Sequence, residues 1–210
     1  LIESRQEAVR ERHVALMVIH DIEGYCDLVE NTMEEWEETD SINNFILDYV
    51  SEDSVQIADS TLNFFLENLG LCNVWAYNIT TQNIFNSNIE IWQDVSDKNF
   101  IVNTGKCFDM ISSIEKAKEK YYSYNSQAFD SYVTNVEPVL TDETSLRQDI
   151  QRTIQEADVE LALRHLSSCL TIYKNRLDFI RRFNEDNKKI MNISDEELRA
   201  IFQGGNYLTI

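Results

Sequence analysis

Three histidines, four cysteines and a dense run of carboxylates are the groups in this 210-residue chain that could do chemistry. His13 and His20 lie seven residues apart, two helical turns, whereas a helical metal pair wants a spacing of four. His165 stands far from both, so all three are expected to be structural or surface residues. Cys26, Cys72, Cys107 and Cys169 form no CxxC pair, which removes zinc ribbons and thioredoxin-type redox motifs. A nucleophilic cysteine would need a base brought beside it by the fold, and the pattern nominates none. The stretch DVSDKN, Asp94 to Asn99, has the oxygen density of a calcium loop. An EF-hand starting at Asp94 would put Lys98 at its fifth position and Gly105 at its twelfth, and neither supplies the required carboxylate. No Gly-rich phosphate loop, GxSxG, HExxH or kinase set occurs. Carboxylates are too plentiful to single out an acid–base pair; even Glu52 and Asp53 read as the first turn of a helix. We expect no enzyme, with no catalytic, cofactor-binding or metal-binding residues.

What remains is charge. The segment ENTMEEWEETDS, Glu30 to Ser41, carries six carboxylates around one tryptophan, in a chain of net charge −19. From Asp21 to Asp97 there are 17 acidic residues and no Lys or Arg, while Thr141 to Ile210 holds 12 acidic and 10 basic residues. Nucleic-acid binding needs a cationic surface, and anionic membranes repel this one. Basic protein surfaces, cationic small molecules or Ca²⁺ are the matching partners. The expected contact surface is Glu34, Glu35, Trp36, Glu37, Glu38 and Asp40, with Trp75 and Trp92 as aromatic anchors. The competing reading makes the carboxylates a helix cap with a solvated face and the tryptophans core.

The elements that must position these groups are helices. One proline and five glycines are too few for a turn-rich sheet protein. The expected fold is all-α, an elongated multi-helix bundle in a single domain over residues 1–210. Its parts are an acidic first half (1–71), an irregular Asn-rich segment (72–105) and a helical second half (106–210). Ala15, Val18, Ile19, Ile22, Cys26 and Val29 form one helical face, predicting a helix over about 3–30. Thr32 with Glu35 fits a capping box for a new helix, and Thr39 to Ser41 offers a second start ahead of Ile42, Phe45, Ile46, Tyr49 and Val50. A further helix over 53–69 would bury Val55, Ala58, Leu62, Phe65, Leu66 and Leu69, with Gly70 as its left-handed cap and Leu71 making the accompanying contact. Phe108, Ile111, Ile114, Tyr121, Phe129, Tyr132 and Val136 carry a helical signal that stops before Pro138. The strongest rhythm is Val159, Leu163, Leu166, Leu170, Tyr173, Leu177 and Ile180, alternating steps of four and three. Ile172, Phe179 and Phe183 add a second apolar flank to it, as a central bundle helix would need. Ser194 and Glu197 form a capping box for a last short helix. No run approaches the length of a membrane span.

The cysteines are either four buried thiols or two disulfides. The expected pairs are Cys72 with Cys107, bracketing the irregular segment, and Cys26 with Cys169. The sequons at Asn78 and Asn192 agree with a secretory route and glycosylation. The chain begins at Leu1 without methionine or signal-like segment, as a processed or trimmed protein would. In its lysine-free acidic half, four scattered cysteines, Asn-rich NITTQNIFNSN and closing helix LRHLSSCLTIYKNRLDFIRRF, the chain resembles the acidic helical salivary proteins of blood-feeding mosquitoes. That resemblance carries over no individual residue. It implies a secreted binding protein that engages a host extracellular protein in feeding, haemostasis or immunity. The alternative is an intracellular, cytoplasmic helical adaptor or tethering module. The sequence leaves the oligomeric state open.

Overall fold

The computed structural model describes residues 2–52, 54–69, 76–87, 92, 95–136 and 145–203, without the side chains of 2–5, 7 and 201–203. It is an all-α helical bundle. The α-helices are α1 (Ile2–Tyr49), α2 (Asp59–Asn68), α3 (Thr80–Ser87), α4 (Lys98–Ser131), α5 (Leu146–Thr153), α6 (Ala157–Met191) and α7 (Asp195–Gln203). A single π-turn, Tyr132–Val136, follows α4. No strand occurs among the described residues, and none of their helices is long and apolar enough to cross a membrane.

The expected helix starts at Thr32 and at Thr39–Ser41 are not used, because α1 runs through both. A cap matters only where the backbone donors are orphaned. Here buried positions recur from Val29 through Met33, Trp36, Asn43 and Ile46 to Val50, with Thr39 and Asp40 half-buried in the turn between Trp36 and Asn43. That packing outweighs the weak helix propensity of Thr and Ser. Thr39 instead donates back to the Glu35 carbonyl at 3.1 Å, a bond internal to the helix. Helix α2 is shorter than expected: Ala58 is its extended N-cap, and Leu62, Phe65 and Leu69 are buried. Asp53, Gly70 and Leu71 lie outside the described residues. The segment expected to be irregular, 72–105, contains α3 and the first two turns of α4.

The chain divides into two compact units. Helices α1, α4 and α6 each lend one stretch to each of them. The first unit comprises residues 1–29, 76–113 and 175–210. Its three long-helix stretches are joined by buried polar bonds: Asn184 donates to the Ile19 carbonyl at 3.0 Å and Asn187 to Thr104 at 3.2 Å. The α6–α7 corner is a Schellman turn, with Ile193 N–H on the Lys188 carbonyl and Asn192 N–H on that of Lys189. Asn192 takes the left-handed position, φ 49°. Ser194 accepts from Glu197 N–H as expected, but the Glu197 carboxylate turns to Arg12, 2.9 and 2.5 Å away.

The second unit comprises residues 30–75 and 114–174. Its core collects Ile46 of α1 and Val50 just beyond it, Leu62 and Phe65 of α2, Ala128 of α4, Ile150 of α5, and Val159, Ala162 and Leu163 of α6. Helix α5 opens with a full Ser145–Gln148 capping box. All seven members of the α6 seam are buried, Val159 to Tyr173 in this unit and Leu177 and Ile180 in the first, each aliphatic one worth about 1.5–3 kcal/mol of transfer free energy. The second flank of that helix is not core, because Ile172 and Phe179 are exposed.

The expected disulfides are not formed: Cys26, Cys107 and Cys169 are reduced, buried thiols. Each falls on the buried stripe of a long helix. The Cys107 thiol donates to the Ile180 carbonyl and the Cys169 thiol to that of Ala117, both at 3.7 Å. Cys26 belongs to the first unit and Cys169 to the second. Burial, with Cys26 nearby, pushes the Cys107 thiol up to about 12. Cys72 lies outside the described residues.

Candidate functional site: the acidic face of the second unit

The charge is concentrated in one unit. Residues assigned to the second unit include 21 acidic and 7 basic side chains, net −14, against 16 and 11, net −5, in the first. Its α1 stretch carries the acidic segment of the sequence, and helical periodicity sorts that segment into three strips. Glu34, Glu38, Ser41, Phe45, Asp48 and Tyr49 share the exposed strip. Glu37, Asp40 and Asn44 form the flank toward α6. Glu37 pairs with Lys174 at 2.8 Å, and Ser167 donates to Asp40 at 2.6 Å. The Glu37–Lys174 pair is half exposed on both sides and adds little stability. Glu35 and Thr39 form the opposite flank, toward α2.

On that flank lies a cleft of about 250 Å³. Its floor is the buried trio Trp36, Tyr121 and Leu166, and its walls are Phe64 and Asn68 of α2 with Thr39. Glu35 and Glu38 stand exposed at its edge. Asn68 holds its own wall in place by donating to the Phe64 carbonyl at 2.8 Å. An apolar floor under carboxylates suits a group with an apolar body and a cationic end.

Of the three tryptophans of the expected contact surface, two, Trp36 and the anchor Trp92, are core. Trp36 is 5% exposed and packs on the rings of Tyr121 and Tyr173, at 4.9 and 5.8 Å. Trp92 is 6% exposed, set edge-on against Phe85 at 4.6 Å in the first unit. Trp75 lies outside the described residues. Trp36 touches the site only from beneath, as cleft floor. The exposed aromatics of the acidic strip are instead Phe45 (37%) and Tyr49 (40%), whose rings stand 5.2 Å apart. Their spacing of four beside Asp48 was the available signal, and the apolar pattern disguised it as core.

The remaining expected sites have local roles. Asn78 is exposed, and its side-chain oxygen accepts from Thr80 N–H at 3.0 Å where α3 begins. Asn192 is the exposed left-handed cap already described. His165 meets the Tyr124 ring edge-on at 4.8 Å, and burial, with Lys120 nearby, lowers its pKa. No group of three or more His, Cys, Asp or Glu able to hold a metal occurs among the described residues. Three carboxylates of the first unit, Glu23, Glu185 and Asp195, surround the Lys188 ammonium. No family model, curated protein or solved structure matches this chain.

Proposed function

We propose that the chain is a non-enzymatic binding protein whose second unit presents its acidic α1 face to a protein partner with a basic surface. The observation that carries this reading is the coincidence, on one exposed strip, of Glu34, Glu38 and Asp48 with the Phe45–Tyr49 ring pair. Carboxylates steer and select a basic partner, while exposed aromatic rings supply contact area at low entropic cost. The surface differs from the one expected in sequence: Trp36 and Trp92 give way to Phe45 and Tyr49, and Glu37 and Asp40 are engaged by α6.

The test compares two charge-reversed proteins of equal net charge. Glu34→Lys with Glu38→Lys and Asp48→Lys alters the strip; Glu67→Lys with Glu119→Lys and Asp130→Lys alters exposed carboxylates elsewhere in the unit. Binding to a basic probe, poly-L-lysine, is measured at low and physiological salt. The strip variant is expected to lose at least tenfold more affinity than the control variant (an order-of-magnitude figure for a few lost charge contacts). Equal losses would reduce the effect to overall charge and sink the reading.

On the first reading, which the resemblance to salivary proteins implies, the partner is a host extracellular protein and the chain is secreted, and the sequons at Asn78 and Asn192 would carry glycans. A specific observation favours the second reading, an intracellular adaptor or tether: Cys26, Cys107 and Cys169 are buried thiols outside any disulfide, the usual state in a reducing compartment. Intact mass of the natural protein, alkylated with and without prior reduction, separates the two. Four free thiols without hexose mass support the adaptor, and glycan mass supports secretion.

A further inference from the structure

We infer that the cleft beside α1 in the second unit is the seat of a single apolar side chain from the basic partner, flanked in the partner by lysine or arginine. This rests on the binding reading above and names the segment that would be recognised. Pockets that enclose a whole small-molecule ligand run to about 300–1,000 Å³; at about 250 Å³ this cleft matches one large side chain instead. The buried rings of Trp36 and Tyr121 and the Leu166 side chain offer apolar contact beneath the polar walls of Thr39 and Asn68. Glu35 and Glu38 at the edge stand where cations one or two residues from the inserted group would reach. Continuity adds weight, because Glu38 belongs both to the cleft edge and to the acidic strip with Phe45 and Tyr49. A segment lying along α1 would thus bury its apolar residue in the cleft and pair its cations with the strip. The charge complementarity of a unit of net −14 selects a cationic segment over a neutral or acidic one.

The experiment uses the full chain and two labelled peptides, Lys-Lys-Ala-Phe-Ala-Lys-Lys and Lys-Lys-Ala-Ala-Ala-Lys-Lys, followed by fluorescence anisotropy at physiological salt. Phenethylammonium, which carries the same ring and charge without a peptide, is the third probe. The phenylalanine peptide is expected to bind at least about tenfold more tightly than the alanine peptide, from burial of one aromatic side chain. Asn68→Trp, which fills the cleft from a half-exposed wall position, is expected to erase that difference and leave the alanine peptide unchanged. Equal binding of the two peptides to the unaltered protein overturns the seat while leaving the charge reading intact. Failure of both peptides to bind even at low salt overturns the charge reading and the seat with it. Phenethylammonium binding as tightly as the phenylalanine peptide also overturns the proposal, since the cleft would then serve a free amine. The wild-type peptide comparison decides the matter even where Asn68→Trp fails to fold.

Discussion

Replacing Arg147 of α5 with methionine should destabilise the second unit by about 3 kcal/mol. Helix α1 ends without a glycine cap and without a basic residue in its last turn, so its terminal carbonyls need another partner. Arg147 supplies it. Its guanidinium donates to the backbone oxygens of Tyr49, the last residue of α1, at 3.1 Å and of Val50, Glu52 and Val55 in the segment that follows, at 2.8, 2.5 and 2.7 Å. Gln151 adds a second donor to Val50 at 2.8 Å. A hydrogen bond from a charged group is worth about 1.5–3 kcal/mol when shielded, but water replaces it where the site is open. The bonds to Tyr49 and Glu52 are exposed, so only those to Val50 and Val55 are counted, at the low end of that range because Gln151 stays on Val50. Attraction to the negative end of the α1 dipole falls within the same figure. Arg147→Lys keeps the charge but loses the planar fork, and should recover about half the loss. Lys116→Met removes an equal charge from an exposed site in the same unit and should cost under about 0.5 kcal/mol. Urea unfolding, followed by circular dichroism and tryptophan emission, measures all three. If Arg147→Met costs no more than Lys116→Met, the carbonyls are served by water and the capping argument is wrong.

Three further outcomes follow from the same packing. Trp36→Ala should lower stability by about 3–5 kcal/mol, as loss of a buried indole does; a change in partner binding with unaltered urea midpoint would make Trp36 an anchor after all. Burial pushes the Lys188 ammonium down, but its hydrogen bonds to Asp195, Glu185 and Glu23 outweigh that and leave its pKa raised, while the Lys188 hydrogen bond holds the Asp195 carboxyl below its usual range. The lysine contribution is complete below about pH 10.4 and lost as pH rises through the folded value; the aspartate contribution is present above about pH 3.9 and lost as pH falls through its lowered value. Lys188→Met should therefore cost about 1–3 kcal/mol at pH 7, discounted for the exposed carboxylates, with the deficit narrowing below about pH 4 in thermal melts. Cys26, Cys107 and Cys169 should resist iodoacetamide at pH 8 until urea unfolds their units, because burial blocks access to all three and, at Cys107, also suppresses the thiolate; mass spectrometry of tryptic peptides reads this directly.

Legibility in the sequence followed the range of the interaction. The α6 seam was read residue for residue, since a face that is buried along its whole length repeats with the helical period. The first face of α1, from Ala15 to Val29, was legible for the same reason. Phe45, Tyr49, Ile172 and Phe179 fit that period too, yet all four are exposed. Periodicity places a residue on a face; it does not say which face meets a neighbour. Thr32 and Ser41 carried cap chemistry that a continuous helix leaves unused. The cysteine pairing failed because spacing along the chain carries no information about which helical faces meet.

Sequence by itself determined that this protein is helical, strongly acidic and without a known catalytic or metal motif, because those properties depend on local propensity and on composition. Tertiary structure alone decided that α1 is one helix, that Arg147 closes its end from nearly 100 residues away, and that Trp36 is a floor while Phe45 and Tyr49 face outward. It also decided that Glu35 and Glu38 border a cleft. Each of these depends on which helix packs beside which, and that choice is made by the summed burial of side chains distant in the chain, a quantity that no short window of residues contains.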